Sequence, residues 1–488
     1  MTMLHDVTVG ALSLDRFAAV FDPARVAAAR EVSARLRRAL GCGVLWNVSS
    51  TAVGGGVAEM LPSLLAYSRG EGIDTRWVVI RGTPAFFDLT KRIHHALHGN
   101  PSAGGPPTEA ERELYERTTR PNAAELAGRL SPGDVVVLHD PQTAGMAPVL
   151  LARGAFVLWR CHIGADGRSP EVDAGWAFLA PYLTRVHATV FSRREYVPRE
   201  LDAARAHVIQ PSIDAFSPKN LPLEHGACRA ILCHVGLLAG CAPHGAEPSF
   251  RRLDGSPARV GRVVDLVRAG PTTDPDVPLV VQVSRWDPLK DMAGVLSGFA
   301  QLVETGRAGD AALVLAGPNV HGVTDDPEGP AVYRQVLDAW YALSAAARAR
   351  ITLAMLPTAD VDENAAMVNA LQRHAAIVVQ KSLHEGFGLT VTEAMWKARP
   401  VIASRVGGIQ DQIVDRESGV LLADASDLGA FADVLAGLIA DPAERARMGA
   451  AARERAREHF LGLRHLLDYA ALVIGLLESA KEAVHASP

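Results

Sequence analysis

The chain has 488 residues, 48% of them hydrophobic and 21% charged, with a net charge of −5. That length implies two or three domains rather than one core, and the composition is that of a globular protein. The negative balance argues against a nucleic-acid binder held by a basic field, and no apolar run reaches the roughly 18 residues of a membrane-spanning helix.

The start, "MTMLHDVTVGALSLDRF", carries acids early and lacks a basic segment followed by an apolar block, so it does not read as a secretory signal. Apolar runs then alternate with helical stretches, the pattern of βαβ units and parallel sheets. "GVLWNVSS" (43–50) reads as a strand, followed by a glycine-rich turn and a helix from about Val57 to Arg69. "TRWVVI" (75–80), "DVVVLHD" (134–140), "AFVLWRCHI" (155–163), "ATVFSRREYV" (188–197) and "AHVIQPSID" (206–214) complete a first doubly wound domain. Its predicted span is 1–216.

Residues 217–277 are rich in Pro, Gly, Cys and Arg with weak periodicity, and read as a linker or irregular insertion. Alternation resumes with "PLVVQVSRWD" (278–287) and a helix from about Met292. "AALVLAG" (311–317), "ARITLAML" (349–356), "AAIVVQKS" (375–382), "PVIASRVGG" (400–408) and "SGVLLAD" (418–424) follow. This is a second doubly wound domain, predicted over 278–461. The tail from about Asp427 to Ala486 is helix-forming, and its last part, about 462–488, is expected to rejoin the first domain. The fold class is therefore α/β, with two Rossmann-like domains. Ligands in such sheets bind beyond the carboxyl ends of the strands, here in a cleft between domains.

Three stretches carry candidate chemistry. "NVSSTAVGGGVAEM" (47–60) sets Gly54, Gly55 and Gly56 between strand and helix, where bare backbone amides can approach an anion or a sugar hydroxyl. It fits the dinucleotide pattern G-x-G-x-x-G poorly, because Glu59 stands at the third glycine. "SRWDPLKD" (284–291) places Arg285 and Lys290 just past a strand, a fork and a point charge suited to a diphosphate. "SLHEGFGLTVTEAM" (382–395) holds Glu385 and Glu393 with seven residues between them. Gly386 and Gly388 permit a close turn around Phe387, and Leu389 and Thr390 begin a helix. A carboxylate accepting from vicinal hydroxyls would clamp a ribose, although Glu393 in a first helical turn also suits the helix dipole alone.

Other polar residues at strand ends, Asn47, His139, Asp140 and His162, are candidates by position. His94, His95 and His98 lie close on one helix, but no H-E-x-x-H pattern accompanies them. No metal site is expected there, nor at the acidic triplets 274–276 and 360–362. Five cysteines (Cys42, Cys161, Cys228, Cys233 and Cys241) form no C-x-x-C pair, so free thiols in a reducing cytoplasm are expected.

Together, the Glu-x7-Glu element, the upstream Arg/Lys pair and the glycine-rich loop resemble the retaining nucleotide-sugar glycosyltransferases of family 4, of GT-B architecture. "WNVSSTAVGGGVAEML", "LHDPQ", "WRCHI", "PSIDAFSPKN", "VQVSRWDPLKD" and "QKSLHEGFGLTVTEAMWKARPVIAS" are similar, more narrowly, to the trehalose glycosyltransferring synthases. The similarity runs from about residue 4 to 460 and thins in 221–277.

The resemblance implies transfer of glucose from UDP-, ADP- or GDP-glucose to free glucose. Arg285 and Lys290 would hold the diphosphate, Glu393 the ribose, and Glu385 and His162 would stand by the transferred sugar. The Gly54–Gly56 loop and the Gly386–Thr390 turn would serve the donor, and Asn47, His139 and Asp140 the acceptor. It implies no required cofactor, with room for stimulation by magnesium. Sugar substrates are the partners, without nucleic acid or membrane, and a homodimer is the candidate assembly. Two alternatives share the fold: another sugar, cyclitol or natural-product acceptor, and a nucleotide-sugar 2-epimerase. A non-catalytic sugar-nucleotide sensor is disfavoured by the complete charged set.

Overall fold

The computed structural model describes residues 2–53, 55–100, 105–240, 246–320 and 328–485, with side chains to 482. The chain divides into two compact units: unit 1 is Met1–Asp214 with Phe460–Pro488, and unit 2 is Ala215–His459.

Unit 1 is built on a seven-stranded sheet in the order β1-β3-β2-β4-β5-β6-β7. The strands are β1 (Leu4–Val7), β2 (Leu45–Ser49), β3 (Thr75–Ile80), β4 (Val135–His139), β5 (Phe156–Arg160), β6 (Ala188–Phe191) and β7 (Ala206–Val208). All neighbours are parallel except β1, which runs antiparallel to β3 with Leu4 opposite Ile80. Successive side chains of a strand point to opposite faces, and β4 shows it: Val136 and Leu138 join one core cluster, Val135 and Val137 another. The second cluster is closed by Leu36 and Leu40 of the helix Pro23–Leu40 and by Ala470, Val473, Ile474 and Leu477 of the helix Gly462–His485. The C-terminal helix thus returns to the first unit and covers a sheet face that would otherwise be exposed. Ile213 and Gly462 tie that return, with Ile213 N donating to Phe460 O at 2.9 Å and Gly462 N to Ile213 O at 3.1 Å.

Unit 2 repeats the plan. A two-stranded hairpin, β8 (Ser249–Arg251) and β9 (Pro257–Arg259), precedes a seven-stranded sheet in the order β10-β13-β12-β11-β14-β15-β16. These are β10 (Asp265–Val267), β11 (Leu279–Val283), β12 (Ala312–Pro318), β13 (Ile351–Leu356), β14 (Ile377–Gln380), β15 (Val401–Ser404) and β16 (Val420–Leu422). Only β10 is antiparallel to its neighbour.

The segment 217–277, expected as a linker or insertion, is counted within unit 2 and contains the helix His225–His234, the hairpin and the edge strand β10. Its anchors are polar. Arg252 makes a fork of bonds to Asp360 (3.0 and 2.8 Å), and Glu363 accepts from Gly261 N and Arg262 N (2.6 and 2.7 Å). The unit boundaries fall at 214/215 and 459/460. Among the described residues no helix is long and apolar enough to cross a membrane.

Candidate functional site

In unit 2 the chain leaves β11 and makes one 3-10 turn, Pro288–Lys290, capped by Asp287, which accepts from Leu289 N at 2.8 Å. Asp291 follows in the left-handed region (φ 46°, ψ 46°) and caps the helix Met292–Glu304 by accepting from Gly294 N at 3.1 Å. Such a conformation costs a non-glycine residue about 1–3 kcal/mol and persists where its surroundings enforce it. Here the Asp291 carboxylate also pairs with Lys381 Nζ, which is fully buried and donates to Ala425 O at 2.6 Å. The Lys290 carbonyl accepts from Gln282 Nε2 at 2.8 Å. Held on both sides, Lys290 directs its Nζ to Glu385 Oε2 at 2.6 Å.

Glu385 sits in the turn after β14, and a line of hydrogen bonds reaches it from the strand end. Thr390 Oγ1 donates to Gln380 Oε1 (3.1 Å), Gln380 Nε2 to Ser382 Oγ (3.0 Å), and Ser382 Oγ to Glu385 Oε2 (3.4 Å). Gly388 has φ 84°, and a Cβ there would meet Glu385 Cγ at 3.1 Å, so both conformation and space call for glycine. Phe387 is buried and its carbonyl accepts from Gln412 Nε2, while Gly386 O accepts from Gly408 N at 3.1 Å. The helix Leu389–Trp396 then begins with no side-chain cap; Val391 N donates to Gly388 O at 3.0 Å, and the amides of Leu389 and Thr390 open the helix ahead of it.

Glu393 is buried within that helix, with Lys219 Nζ at 3.5 Å from Oε1. Lys397 Nζ donates to the Glu393 carbonyl (3.2 Å), Gln372 Oε1 (2.8 Å) and Asn220 Oδ1 (3.0 Å). Burial pushes the Lys397 ammonium down to about 7, against the pull of the Glu393 charge. Arg285 pairs with Asp287 at 3.0 Å, and its side chain is 60% exposed. Asp287 is 16% exposed and caps the 3-10 turn, so the pair ties this largely exposed guanidinium to the turn.

In unit 1 the carboxyl ends of β2, β4 and β5 meet, His139 lying opposite Arg160 in the parallel register. Asn47 Oδ1 lies 3.0 Å from His139 Nε2, and His139 Nδ1 lies 3.1 Å from His162 Nε2. Asp140 has φ 63° and ψ 177°, a region almost reserved for glycine. It is pinned there: Asp140 N donates to Arg160 O (2.8 Å), its carbonyl accepts from Trp159 Nε1 (3.1 Å), and Oδ1 accepts from His162 N (2.8 Å).

Burial sets the protonation of this group. It pushes His139 down to about 3, with the Arg160 charge adding to it. Burial, then Arg160, His139 and His465, hold His162 well below the usual histidine range. Burial lifts Asp140 to about 6, opposed by the bond from His162 N and by Arg160. Both histidines are therefore neutral at physiological pH.

The sequence-predicted residues thus fall into two sets. Lys290, Glu385 and the Gly386–Thr390 turn are brought together in unit 2, and Asn47, His139, Asp140 and His162 in unit 1. Gly54 lies outside the described residues. Gly55 has φ 77°, a Cβ added there would meet nothing within 4 Å, and it opens the helix Gly55–Gly70 with Gly56 beside it. His94, His95 and His98 contact one another, and His98 Nδ1 lies 3.2 Å from Gly164 O. Among the described residues no cluster of His, Cys, Asp and Glu could hold a metal. Sequence reasoning passed over Arg160, Lys219 and Asp291, although each stands inside a motif singled out above.

Residues 47–198 match the family description "Trehalose synthase, N-terminal domain", and residues 265–455 match "Glycosyl transferases group 1". The chain is 36% identical to the trehalose synthase of Pyrococcus horikoshii, over 87% of this chain and 88% of that one. It is 34% identical to the trehalose synthase of Rubrobacter xylanophilus, over 97% and 100%. Among solved structures, an α,α-trehalose-phosphate synthase (UDP-forming) from Burkholderia vietnamiensis superposes with a TM-score of 0.65 at 14% identity, over 90% of this chain and 100% of that one. At that identity the likeness carries the fold alone, which is the GT-B architecture.

Proposed function

Because the chain belongs to the trehalose synthase family of glycosyltransferases, we propose that it transfers glucose from a nucleoside diphosphate glucose to the anomeric hydroxyl of glucose with retention. The product is α,α-trehalose and the reaction is reversible. One observation carries the donor side: Lys290 and Glu385 meet at 2.6 Å beside Gly388 and the uncapped start of the helix Leu389–Trp396. A cation and bare amides suit a diphosphate, and a carboxylate beside them suits sugar hydroxyls.

In this reading Lys290, Arg285 and the helix amides take the charge that builds on the leaving diphosphate, the form of stabilisation that most lowers such barriers. Glu385 holds the glucose of the donor, and Glu393 accepts from the ribose hydroxyls. Asn47, His139, Asp140 and His162 hold the acceptor and the transferred sugar. The C1–O bond to the phosphate breaks while the acceptor oxygen bonds to C1 from the same face. The acceptor's proton passes to the departing phosphate oxygen. The reading includes a cytoplasmic location and a homodimer.

A donor-by-acceptor screen with NMR of the product tests it. UDP-, ADP- or GDP-glucose with glucose should give α,α-trehalose. Lys290→Ala and Arg285→Ala should each lower kcat by about 10²–10³, the usual cost of losing one transition-state donor. A β-linked product sinks retention. Nucleotide release without a sugar acceptor points instead to an epimerase, and glucose 1-phosphate formed from trehalose and inorganic phosphate would replace the nucleotide donor altogether.

A further inference from the structure

Arg160 ends β5 two residues before His162 and is fully buried. Its Nη1 donates to Ile209 O at 2.7 Å and its Nη2 to Ser192 Oγ at 3.1 Å, and its Nε faces His162 Nδ1 at 3.5 Å. A guanidinium is a rigid, permanently charged fork with five donors and no acceptor. With two arms held, the direction of the Nε–H is fixed, and His162 Nδ1 can only accept from it.

The consequence runs along the line. The His162 proton sits on Nε2 and is donated to His139 Nδ1, 3.1 Å away. His139 then carries its own proton on Nε2 and donates it to Asn47 Oδ1 at 3.0 Å. Asn47 is oriented in turn, and its Nδ2 amide is left buried with no partner among the described residues. Turning the Asn47 amide over would place a proton on His162 Nδ1, against the Arg160 Nε–H. Two donors would then face each other in a buried site, which is costly.

We infer that Arg160 is a positioning residue for the transfer: it fixes the tautomers of His162 and His139 and thereby presents the Asn47 amide as a donor to a hydroxyl oxygen of the acceptor sugar. The inference rests on the proposed transfer in assigning that donor its use. Asp140, Cys161, His465, Arg464 and Tyr469 are the titratable and charged groups that face this line. Asp140 is the carboxylate among them, and Asp468 is taken up by Arg464 at 2.7 Å.

Two variants separate the donor from the charge. Arg160→Gln keeps an N–H near the position of Nε and loses the charge; Arg160→Met loses both. In ¹⁵N-histidine NMR of the unliganded protein, His139 and His162 should both be neutral Nε2–H tautomers. They should remain so in Arg160→Gln and become Nδ1–H or mixed in Arg160→Met. In kinetics Arg160→Met should lower kcat on the order of 10- to 100-fold, the scale for an outer residue that orients a histidine. Arg160→Gln should recover most of that loss, but the acid limb of its kcat/KM, set by Asp140, should move up in pH, because the Arg160 charge no longer holds the Asp140 carboxyl down. An Nδ1–H tautomer on either histidine in the unsubstituted protein overturns the inference. So does a folded Arg160→Met with unchanged tautomers and kcat. If Arg160→Met fails to fold, the tautomers of the unsubstituted protein and the Arg160→Gln profile decide alone. The NMR arm needs no substrate, so failure to make trehalose would sink the proposed reaction without touching the tautomer assignment.

Discussion

Replacing His139 by glutamine should remove an acid-sensitive part of the stability, and its size follows from the site. In the unfolded chain the imidazole titrates near 6.5, whereas burial and Arg160 hold it at about 3 in the fold. Between those values the unfolded state binds more protons than the native one, so stability rises with pH. The contribution is therefore fully present above 6.5 and is lost as pH falls from 6.5 toward 3. At pH 5 the loss is RT ln(1 + 10^1.5), about 2 kcal/mol. Any folded value below about 4 gives the same figure, because His139 is then neutral in the fold at pH 5. Asp140, raised to about 6, works in the opposite sense, regaining roughly 1 kcal/mol over the same interval. Comparing two proteins that both retain Asp140 cancels that effect. Glutamine keeps an N–H near the position of Nε2 for Asn47, so His139→Gln removes the titration with the least change in shape. Urea unfolding of both proteins from pH 8 to pH 5, followed on the transition of unit 1, should show the stability difference shifting by about 2 kcal/mol toward the glutamine variant. Parallel pH curves would refute the reasoning, since they would mean that His139 is not buried as a neutral ring.

Two further outcomes follow from the same geometry. The Asp140 carboxyl is held at about 6 by burial, so its anion forms above that pH, and kcat/KM for the acceptor should rise through pH 6 and level off; Asp140→Asn should abolish that limb, and an unchanged profile would remove Asp140 from acceptor binding. Asp291→Ala deletes a helix cap and leaves the fully buried Lys381 without its carboxylate, an expected cost of about 3–5 kcal/mol. Asp291→Ala with Lys381→Met should recover most of it in calorimetric unfolding; a double variant no more stable than the single one would show that the pair is not what holds this turn.

Most strands were legible because a parallel strand buried on both faces reads as an unbroken apolar run. "DVVVLHD" and "PLVVQV" contain β4 and β11 within a residue or two of their ends. The two antiparallel edges were not legible. β1 reads "LHDV" and β10 reads "DLV", too short and too charged to stand out, as edge strands commonly are. The segment 217–277 was opaque for a related reason. Its hairpin and loop are held by Arg252 to Asp360 and Arg262 to Glu363, partners about a hundred residues away that no local pattern announces.

The two glutamates of "SLHEGFGLTVTEAM" show where the sequence reading stops. Spacing alone makes them look equivalent, two carboxylates flanking one turn. The fold separates them by environment. Glu385 stands beside Lys290 at the turn, each side chain 14% exposed. Glu393 is nearly enclosed, with Lys219 beside its carboxylate and Lys397 beneath its carbonyl. A carboxylate paired this way keeps its charge compensated until a ligand brings its own polar groups. One that only orients a substrate hydroxyl is better held rigidly, since its own ordering then costs nothing at binding. Lys219 lies far from Glu393 in the chain and Lys397 one helical turn from it, and only the fold shows that both cations are set against Glu393. In the proposed reaction, that difference in surroundings supports giving the reacting sugar to Glu385 and the non-reacting ribose to Glu393.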